Sequence, residues 1–300
     1  MRRVACHVMG SVFMLLSMCS STGKYVNLQK ELERYVGDKD AAIGIAVIIN
    51  DRDTISISGD RHFPMLSVYK FPIALAYAEW DNISSVNSPD SILVRKEDMH
   101  PDTYSPMRDE FEIEDSSRVA LTDVMAYALQ KSDNNASDLL IKQAGGIKNI
   151  QMALRHIGAD GINVVSTEDE MHQDNSLCYQ NSSTPKAMAS LMNYFEKGYP
   201  DNKVSLNIRR YMETCTTGLD RLPKPLLNTG AVIGHKTGTG FILPDGRLMA
   251  VNDAGYVILP DGNSYSIAVF IENSGYSMPE TEAIIAEISE IVYCSIYMRQ

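Results

Sequence analysis

Hydrophobic residues repeat with two different periods along this chain, and the period changes twice. An amphipathic pattern over Leu28–Val36 predicts a helix. The apolar run 41–49 and the alternating segment 54–58, with a polar turn between them, predict a β-hairpin. From Ser67 to about Asn207 the apolar spacing is helical, and no segment there has a convincing strand pattern.

Strand patterns return in the last third of the chain. Four apolar segments predict strands, a polar turn at 260–263 predicts a hairpin, and a long apolar pattern predicts a final helix: Val232–Ile233, Leu248–Val251, Gly255–Leu259, Tyr265–Ile271 and Glu280–Met298. Strands at both ends of a chain build one sheet most simply when the middle is an insertion. We therefore predict an α+β fold, in which terminal helices flank an antiparallel sheet formed by 23–62 and 209–300, with an all-helical lobe at 63–208.

Composition excludes several classes of function. The net charge of −11 over 300 residues disfavours nucleic acid and anionic membrane surfaces as partners. There is no glycine-rich phosphate loop and no cluster of metal-ligand residues, so we predict no metal and no cofactor. Cys178, Cys215 and Cys294 lack disulfide-framework spacing and are predicted to be small buried hydrophobic side chains.

The N-terminus has the pattern of a secretion signal. Arg2 and Arg3 precede a mostly apolar run, Val4–Met18, that is short for a membrane span. We predict a signal peptide over 1–22 and a periplasmic mature protein. The segment before Cys19 loosely resembles a lipoprotein cleavage site, but ordinary cleavage is favoured over a lipid anchor at Cys19.

Candidate chemistry begins at Ser67, which lies three residues before Lys70 at the predicted start of an apolar helix. Residues three apart share a helix face, so a lysine there can accept the serine proton and make the hydroxyl nucleophilic. N–H groups at the start of a helix can stabilise an oxyanion. A helix cap followed by a solvated lysine would give the same spacing, so this pair alone is weak evidence.

Two further triplets, Ser132–Asn134 and Lys236–Gly238, follow in an order that chance seldom produces. With Ser67–Lys70 they resemble the motif set of class A β-lactamases and penicillin-binding proteins, and the resemblance runs from about Tyr25 to the C-terminus. It implies two lobes with the active site in the cleft between them.

The resemblance also implies roles for individual residues. For catalysis it implies Ser67, Lys70, Ser132 and Glu168. For substrate binding it implies Tyr104, Asn134, Lys236, Thr237, Gly238, Thr239 and Arg221. Asp133 is expected to hold its loop by accepting backbone hydrogen bonds. For Arg221, the alternative of a surface arginine without a binding role fits the sequence nearly as well.

The loop around Glu168 matches the family at Glu168 and Met171 but departs from it at two positions. His172 replaces the usual asparagine, and Ser166 replaces an arginine that many members use to brace the loop. His172 could support a water or the loop, since an imidazole forms hydrogen bonds. At His172 and at Phe71–Pro72, this chain resembles the branch of the family that contains the CfxA and PER enzymes. The alternative for Glu168 is a solvated acid.

The sequence thus predicts hydrolysis of β-lactams, cephalosporins among them, through a serine acyl-enzyme and a glutamate-activated water, by a monomer without metal. Whether Lys70 or the water at Glu168 takes the Ser67 proton stays open. The alternatives are a D,D-peptidase that acts on peptidoglycan and a β-lactam-sensing domain that is acylated without turnover.

Overall fold

The computed structural model describes residues 25–84 and 88–298. The predicted signal peptide, including Cys19, lies outside the described residues. None of the helices within these two ranges combines the length and the apolar character that crossing a bilayer requires.

The described ranges contain ten strands and ten α-helices. The strands are β1 (Ala42–Ile49), β2 (Asp53–Ile57), β3 (Phe63–Pro64), β4 (Ser91–Arg95), β5 (Ser116–Ala120), β6 (Ile162–Asn163), β7 (Ser182–Ser183), β8 (Val232–Thr239), β9 (Leu248–Ile258) and β10 (Ser264–Ser274). The α-helices are α1 (Val26–Gly37), α2 (Lys70–Ser84), α3 (Pro106–Glu110), α4 (Leu121–Gln130), α5 (Asn134–Gln143), α6 (Ile147–His156), α7 (Glu168–Gln173), α8 (Pro185–Glu196), α9 (Lys203–Glu213) and α10 (Met278–Tyr293).

Five strands form one antiparallel sheet in the order β2-β1-β10-β9-β8. Both ends of the chain contribute to this sheet, which confirms the predicted α+β fold. The two strands predicted at 248–251 and 255–259 are a single strand, β9. The polar centre of β9, Asn252 and Asp253, is fully buried. Both side chains hydrogen-bond neighbouring segments, which satisfies their polar atoms. β8 is longer than predicted and carries the Lys236–Gly238 triplet.

The sheet separates two hydrophobic cores because successive strand residues face opposite sides. In β1, Ile45 and Val47 pack into the core that contains residues of α1 and α10, whereas Ala46 packs into the core of the helical lobe. β10 repeats the alternation, with Val269 on the first side and Phe270 on the second. Lys236, on β8, hydrogen-bonds Ser132 of the helical lobe, so the second and third triplets meet where the two lobes join.

The inserted lobe is not entirely helical, and the prediction of no strands in it is wrong. β4 and β5 form a hairpin, and β3, β7 and β6 form a small sheet. β5 reads Ser-Ser-Arg-Val-Ala and buries only Val119, so it lacks the apolar alternation by which strands are recognised. β6 and β7 contain two residues each, which is too short for any periodicity. The predicted lobe boundary at 208/209 falls inside α9.

Candidate active site

Ser67 lies in a tight 3₁₀ turn, Leu66–Tyr69, that continues directly into α2 at Lys70. Leu66 has a φ of +48°, a strained conformation for a leucine, and such strain persists where the surroundings enforce it. The Asn252 amide enforces it by donating to the Pro64 and Met65 carbonyls at 2.8 and 3.2 Å. The sheet therefore fixes the segment that presents Ser67, and the helix begins after this serine rather than at it.

Lys70 is fully buried, and three oxygens surround its ammonium group. Nζ donates to the Ser132 carbonyl at 2.7 Å and to Asn134 Oδ1 at 2.5 Å. Glu168 Oε1 lies 3.1 Å from Nζ, an ion pair by distance, although its alignment is not that of a hydrogen bond. Lys70 thus joins the motif that contains Ser67 to the second triplet and to the Glu168 loop.

Ser132 lies between the two lysines, as predicted. Its carbonyl contacts Lys70, and its Oγ accepts a hydrogen bond from Lys236 Nζ at 2.9 Å. A φ of +60° at Ser132 turns the chain between α4 and α5. Lys236 is also fully buried, and burial lowers its pKa to about 7. An ammonium with a lowered pKa gives up a proton more readily, so Lys236 can supply a proton through the Ser132 hydroxyl.

The other two residues of the second triplet have different surroundings. Asp133 is buried in the fold, whereas Asn134 lies beside the cavity. Asp133 is fully buried and accepts from the N–H groups of Met107 and Ala136, as predicted. Asn134 accepts from Lys70 through Oδ1 and donates through Nδ2 to Thr103 Oγ1 at 2.7 Å. Its amide is therefore held in one orientation beside the cavity that Ser67 lines.

The third triplet brings β8 against the Ser67 turn. A Cβ on Gly238 would lie 2.5 Å from the Met65 carbonyl oxygen, so only glycine permits this approach. Ser67, Asn134, Glu168 and Thr239 line one cavity of about 300 Å³. Its apolar wall was not predicted: Leu66, Met171, Cys178 and Phe241. The geometry brings Ser67, Asn134, Glu168 and the end of β8 together around one cavity, as the resemblance implies.

Arg221 is buried behind β8, so the alternative of a surface arginine is wrong. Its Nη1 donates to the Gly238 and Asn252 carbonyls, and its Nε donates to Glu282 Oε1. Nη2 donates to Thr239 Oγ1 at 2.7 Å. The guanidinium therefore braces the end of β8 and reaches the cleft through the Thr239 hydroxyl.

Asp138, which the sequence did not single out, anchors the start of α7. Its carboxylate accepts from the N–H groups of Glu168 and Asp169 at 2.8 and 3.0 Å, which fixes the Glu168 backbone. Burial and then the charge of Glu168 raise the pKa of Asp138 to about 7, although these hydrogen bonds oppose the shift. Asp138 follows Asn134 by one helical turn, but that spacing by itself gives no functional signal.

Asn181 braces the loop at the position where Ser166 replaces the family's arginine. The Asn181 amide is fully buried, accepts from the N–H groups of Val165 and Ser166, and donates to the Ser166 carbonyl. Because the arginine is absent, the loop around Glu168 must be held in another way, and the Asn181 hydrogen bonds hold it. The predicted roles of two exposed residues stay predictions. The His172 side chain makes no hydrogen bond to another described residue, and Tyr104 accepts through its carbonyl from the Asn134 N–H.

Replacing Asn181 by alanine should lower the free energy of unfolding by about 3 kcal/mol or more. Two N–H groups and one carbonyl would lose their partner, and each buried unsatisfied group costs roughly 1–3 kcal/mol. Urea unfolding followed by circular dichroism measures the change. Asn193→Ala, which removes one surface contact with Asp51, is the control and should cost about 0.5 kcal/mol or less. Equal effects of the two substitutions would contradict the bracing role.

The prediction that the cysteines are buried is confirmed for Cys215 and wrong for Cys178 and Cys294. Cys178 and Cys294 are half-buried, and buried Cys215 has polar neighbours, including the Thr217 hydroxyl.

Within residues 25–84 and 88–298, no three histidine, cysteine, aspartate or glutamate side chains are grouped so that they could hold a metal ion. The absence of a metal requirement stays a prediction.

Comparisons with known proteins agree on one family. The sequence model of the beta-lactamase enzyme family matches residues 27–296. A beta-lactamase from Bacteroides uniformis is 37% identical over 89% of this chain and 90% of its own length. Extended-spectrum beta-lactamase PER-1 from Pseudomonas aeruginosa is 31% identical over 89% of this chain and 86% of its own. The crystal structure of a class A beta-lactamase from Bacteroides cellulosilyticus superimposes with a TM-score of 0.85 and 34% identity, covering 92% of this chain and 99% of the other.

Proposed function

Because this chain belongs to the class A serine β-lactamases, enzymes that hydrolyse β-lactam antibiotics and so give resistance to them, we propose that it acts through an acyl-enzyme on Ser67. The observation that carries this proposal is the position of Lys70, whose buried ammonium contacts both Ser132 and Glu168 beside the cavity that Ser67 lines. One group thereby connects the acylating and deacylating halves of the site.

In the acylation half, Ser67 Oγ attacks the lactam carbonyl carbon while Lys70, or a water at Glu168, takes its proton. By family resemblance, the N–H groups of Ser67 and Thr239 stabilise the oxyanion. The carbonyl–nitrogen bond then breaks, and the ring nitrogen takes a proton from Ser132. The hydrogen bond from Lys236 to Ser132 Oγ supports this step, because Lys236 can replace the proton.

In the deacylation half, Glu168 takes a proton from a water that attacks the ester carbonyl. The C–O bond to Ser67 then breaks, and Ser67 Oγ takes back a proton through Lys70, which restores the hydroxyl. Two contacts support this role for Glu168. The Asp138 carboxylate accepts from its backbone N–H, and Lys70 Nζ lies 3.1 Å from its Oε1. A site without this carboxylate would stop at the adduct, as the sensing-domain alternative requires.

We expect a higher kcat/KM for cephalosporins than for penicillins. Thr239 is exposed at the end of β8, beside the predicted carboxylate site, and the relatives include the extended-spectrum enzyme PER-1. Progress curves with a chromogenic cephalosporin and with benzylpenicillin measure the ratio and the number of turnovers. A ratio that favours benzylpenicillin would contradict the substrate preference. A burst of one equivalent without turnover would favour the sensing domain.

Export completes the proposed function, since the periplasm is where β-lactams reach their targets. The basic and apolar pattern of residues 2–18 supports it. Fractionation of cells that express the full chain, with mass determination of the mature N-terminus, tests both export and lipid attachment at Cys19.

A further inference from the structure

The loop at residues 100–104 contacts the active site at Asn134. The Tyr104 carbonyl accepts from the Asn134 backbone N–H at 3.1 Å, and Thr103 Oγ1 accepts from Asn134 Nδ2 at 2.7 Å. Asn134 begins α5 and lines the cavity of Ser67. The loop therefore supports both the backbone and the side chain of a residue in the candidate active site.

The two contacts of the Asn134 amide determine which of its protons a substrate can use. An ammonium group only donates, so the Asn134 atom that faces Lys70 Nζ is the oxygen. Nδ2 therefore has two protons, and Thr103 Oγ1 accepts one of them. The other proton stays available to a substrate. By the family resemblance Asn134 binds substrate, and an amide N–H is a suitable donor to the carbonyl of an acylamino side chain.

One arginine holds the middle of the loop. Arg108 Nη1 donates to the carbonyls of His100, Pro101 and Thr103, and the three distances are 2.8, 2.7 and 2.8 Å. Nη1 has two protons, so the three carbonyls share them. No other group in the part of the chain that the structure describes donates to the Pro101 or the Thr103 carbonyl. The shape of the loop between its ends therefore depends on the Arg108 side chain.

The ends of the loop have anchors that do not involve this guanidinium. The His100 N–H donates to Asn135 Oδ1 at 3.2 Å. At the other end, Ser105 Oγ donates to Asp133 Oδ2 at 2.9 Å, and it accepts from the backbone N–H of Arg108 at the start of α3. Removal of the Arg108 side chain would leave these hydrogen bonds in place. It would release the middle of the loop, where Thr103 lies.

We propose that Arg108 is a positioning residue for substrate binding: it keeps Thr103 against the Asn134 amide, so that the second Nδ2 proton donates to the acylamino carbonyl of a β-lactam. The proposal rests on the proposed function, since it concerns a bound β-lactam. Without the guanidinium, Thr103 Oγ1 moves away from Nδ2, while Lys70 still donates to the amide oxygen. The loss should therefore fall on substrates with an acylamino side chain and leave the bond-breaking groups intact.

Two penicillins test this directly. Benzylpenicillin has an acylamino side chain, whereas 6-aminopenicillanic acid has the same fused rings with a free amine in its place. Arg108→Ala should lower kcat/KM for benzylpenicillin about 5- to 10-fold, the scale of one hydrogen bond, and that for 6-aminopenicillanic acid less than about twofold. Thr103→Val removes the acceptor itself and should have the same selective effect. The double variant should show no further loss, because both substitutions break one path to Asn134.

Two further variants separate positioning from loss of charge or of folding. Arg118→Ala removes an exposed arginine of β5 that donates to the Ser91 carbonyl, and it should leave both values of kcat/KM unchanged. Arg108→Lys keeps a cationic donor for the loop and should lose less than Arg108→Ala. It provides the same comparison of substrates if Arg108→Ala does not fold.

An equal loss for the two penicillins would overturn the proposal, because a general structural role predicts it. So would unchanged kinetics of the Arg108 variants, or effects of Arg108→Ala and Thr103→Val that add in the double variant. Absence of turnover of benzylpenicillin by the wild-type protein would instead contradict the proposed function.

Discussion

Ser67→Ala should lose hydrolysis of every β-lactam, with a fall in kcat of roughly 10⁴–10⁶-fold, the scale known for removal of a nucleophilic serine. The reason is local. Ser67 lies at the end of the cavity on a turn that Asn252 fixes, and a methyl group there offers no atom to attack the lactam carbonyl. Initial rates with a chromogenic cephalosporin measure the loss, and intact-protein mass spectrometry measures the adduct.

Ser190→Ala is the matched control, since Ser190 is an exposed serine on α8. It should keep the wild-type rate, and both variants should keep the wild-type melting temperature within about 2 °C, because neither changes buried packing. A persistent covalent adduct on Ser67→Ala would show that another residue is the nucleophile.

Glu168→Gln should separate the two chemical halves of the reaction. Acylation can still proceed through Lys70, because Ser67 and Ser132 are untouched. Deacylation loses the carboxylate beside Lys70 that can take a proton from water, and general-base catalysis is worth roughly 10²–10⁴-fold. The variant should therefore accumulate protein plus one intact substrate within seconds of mixing, which mass spectrometry detects.

Glu170→Gln supplies the control on the same helix. Glu170 is exposed, and its side chain accepts from the Thr167 N–H as part of a helix cap, a bond that glutamine also makes. This variant should turn over nearly like wild type. The reverse outcome, a trapped adduct on Glu170→Gln and normal turnover of Glu168→Gln, would show that the catalytic position of the loop is misassigned.

The sequence predicted the parts of the site in which a short motif supplies both the chemistry and its spacing. Ser67 and Lys70 are three residues apart, and each of the other triplets is contiguous, so their meeting in one cleft followed from the resemblance. The predicted sheet was correct for a different reason: its three central strands, β1, β10 and β9, are long and mostly apolar. β5 escaped prediction because three of its five residues are polar and exposed.

The supporting residues could not be predicted, because the fold brings them together from distant positions. Asn181 braces residues 165 and 166, and Asp138 accepts from the N–H groups of Glu168 and Asp169, about thirty residues further along the chain. Each is a common residue type with no motif around it. In particular, Cys215 matched a small hydrophobic side chain, and only the structure shows the Thr217 hydroxyl beside its sulfur.

The central claim is that Ser67 is acylated and Glu168 releases the product. Mapping the adduct on Glu168→Gln tests it most directly: the variant is mixed with a cephalosporin, quenched within seconds and digested, and the modified peptide is sequenced by mass spectrometry. The mechanism predicts one adduct per chain, on Ser67, which disappears in the Ser67→Ala, Glu168→Gln double variant. An adduct on any other residue, or continued turnover without an adduct, would contradict it.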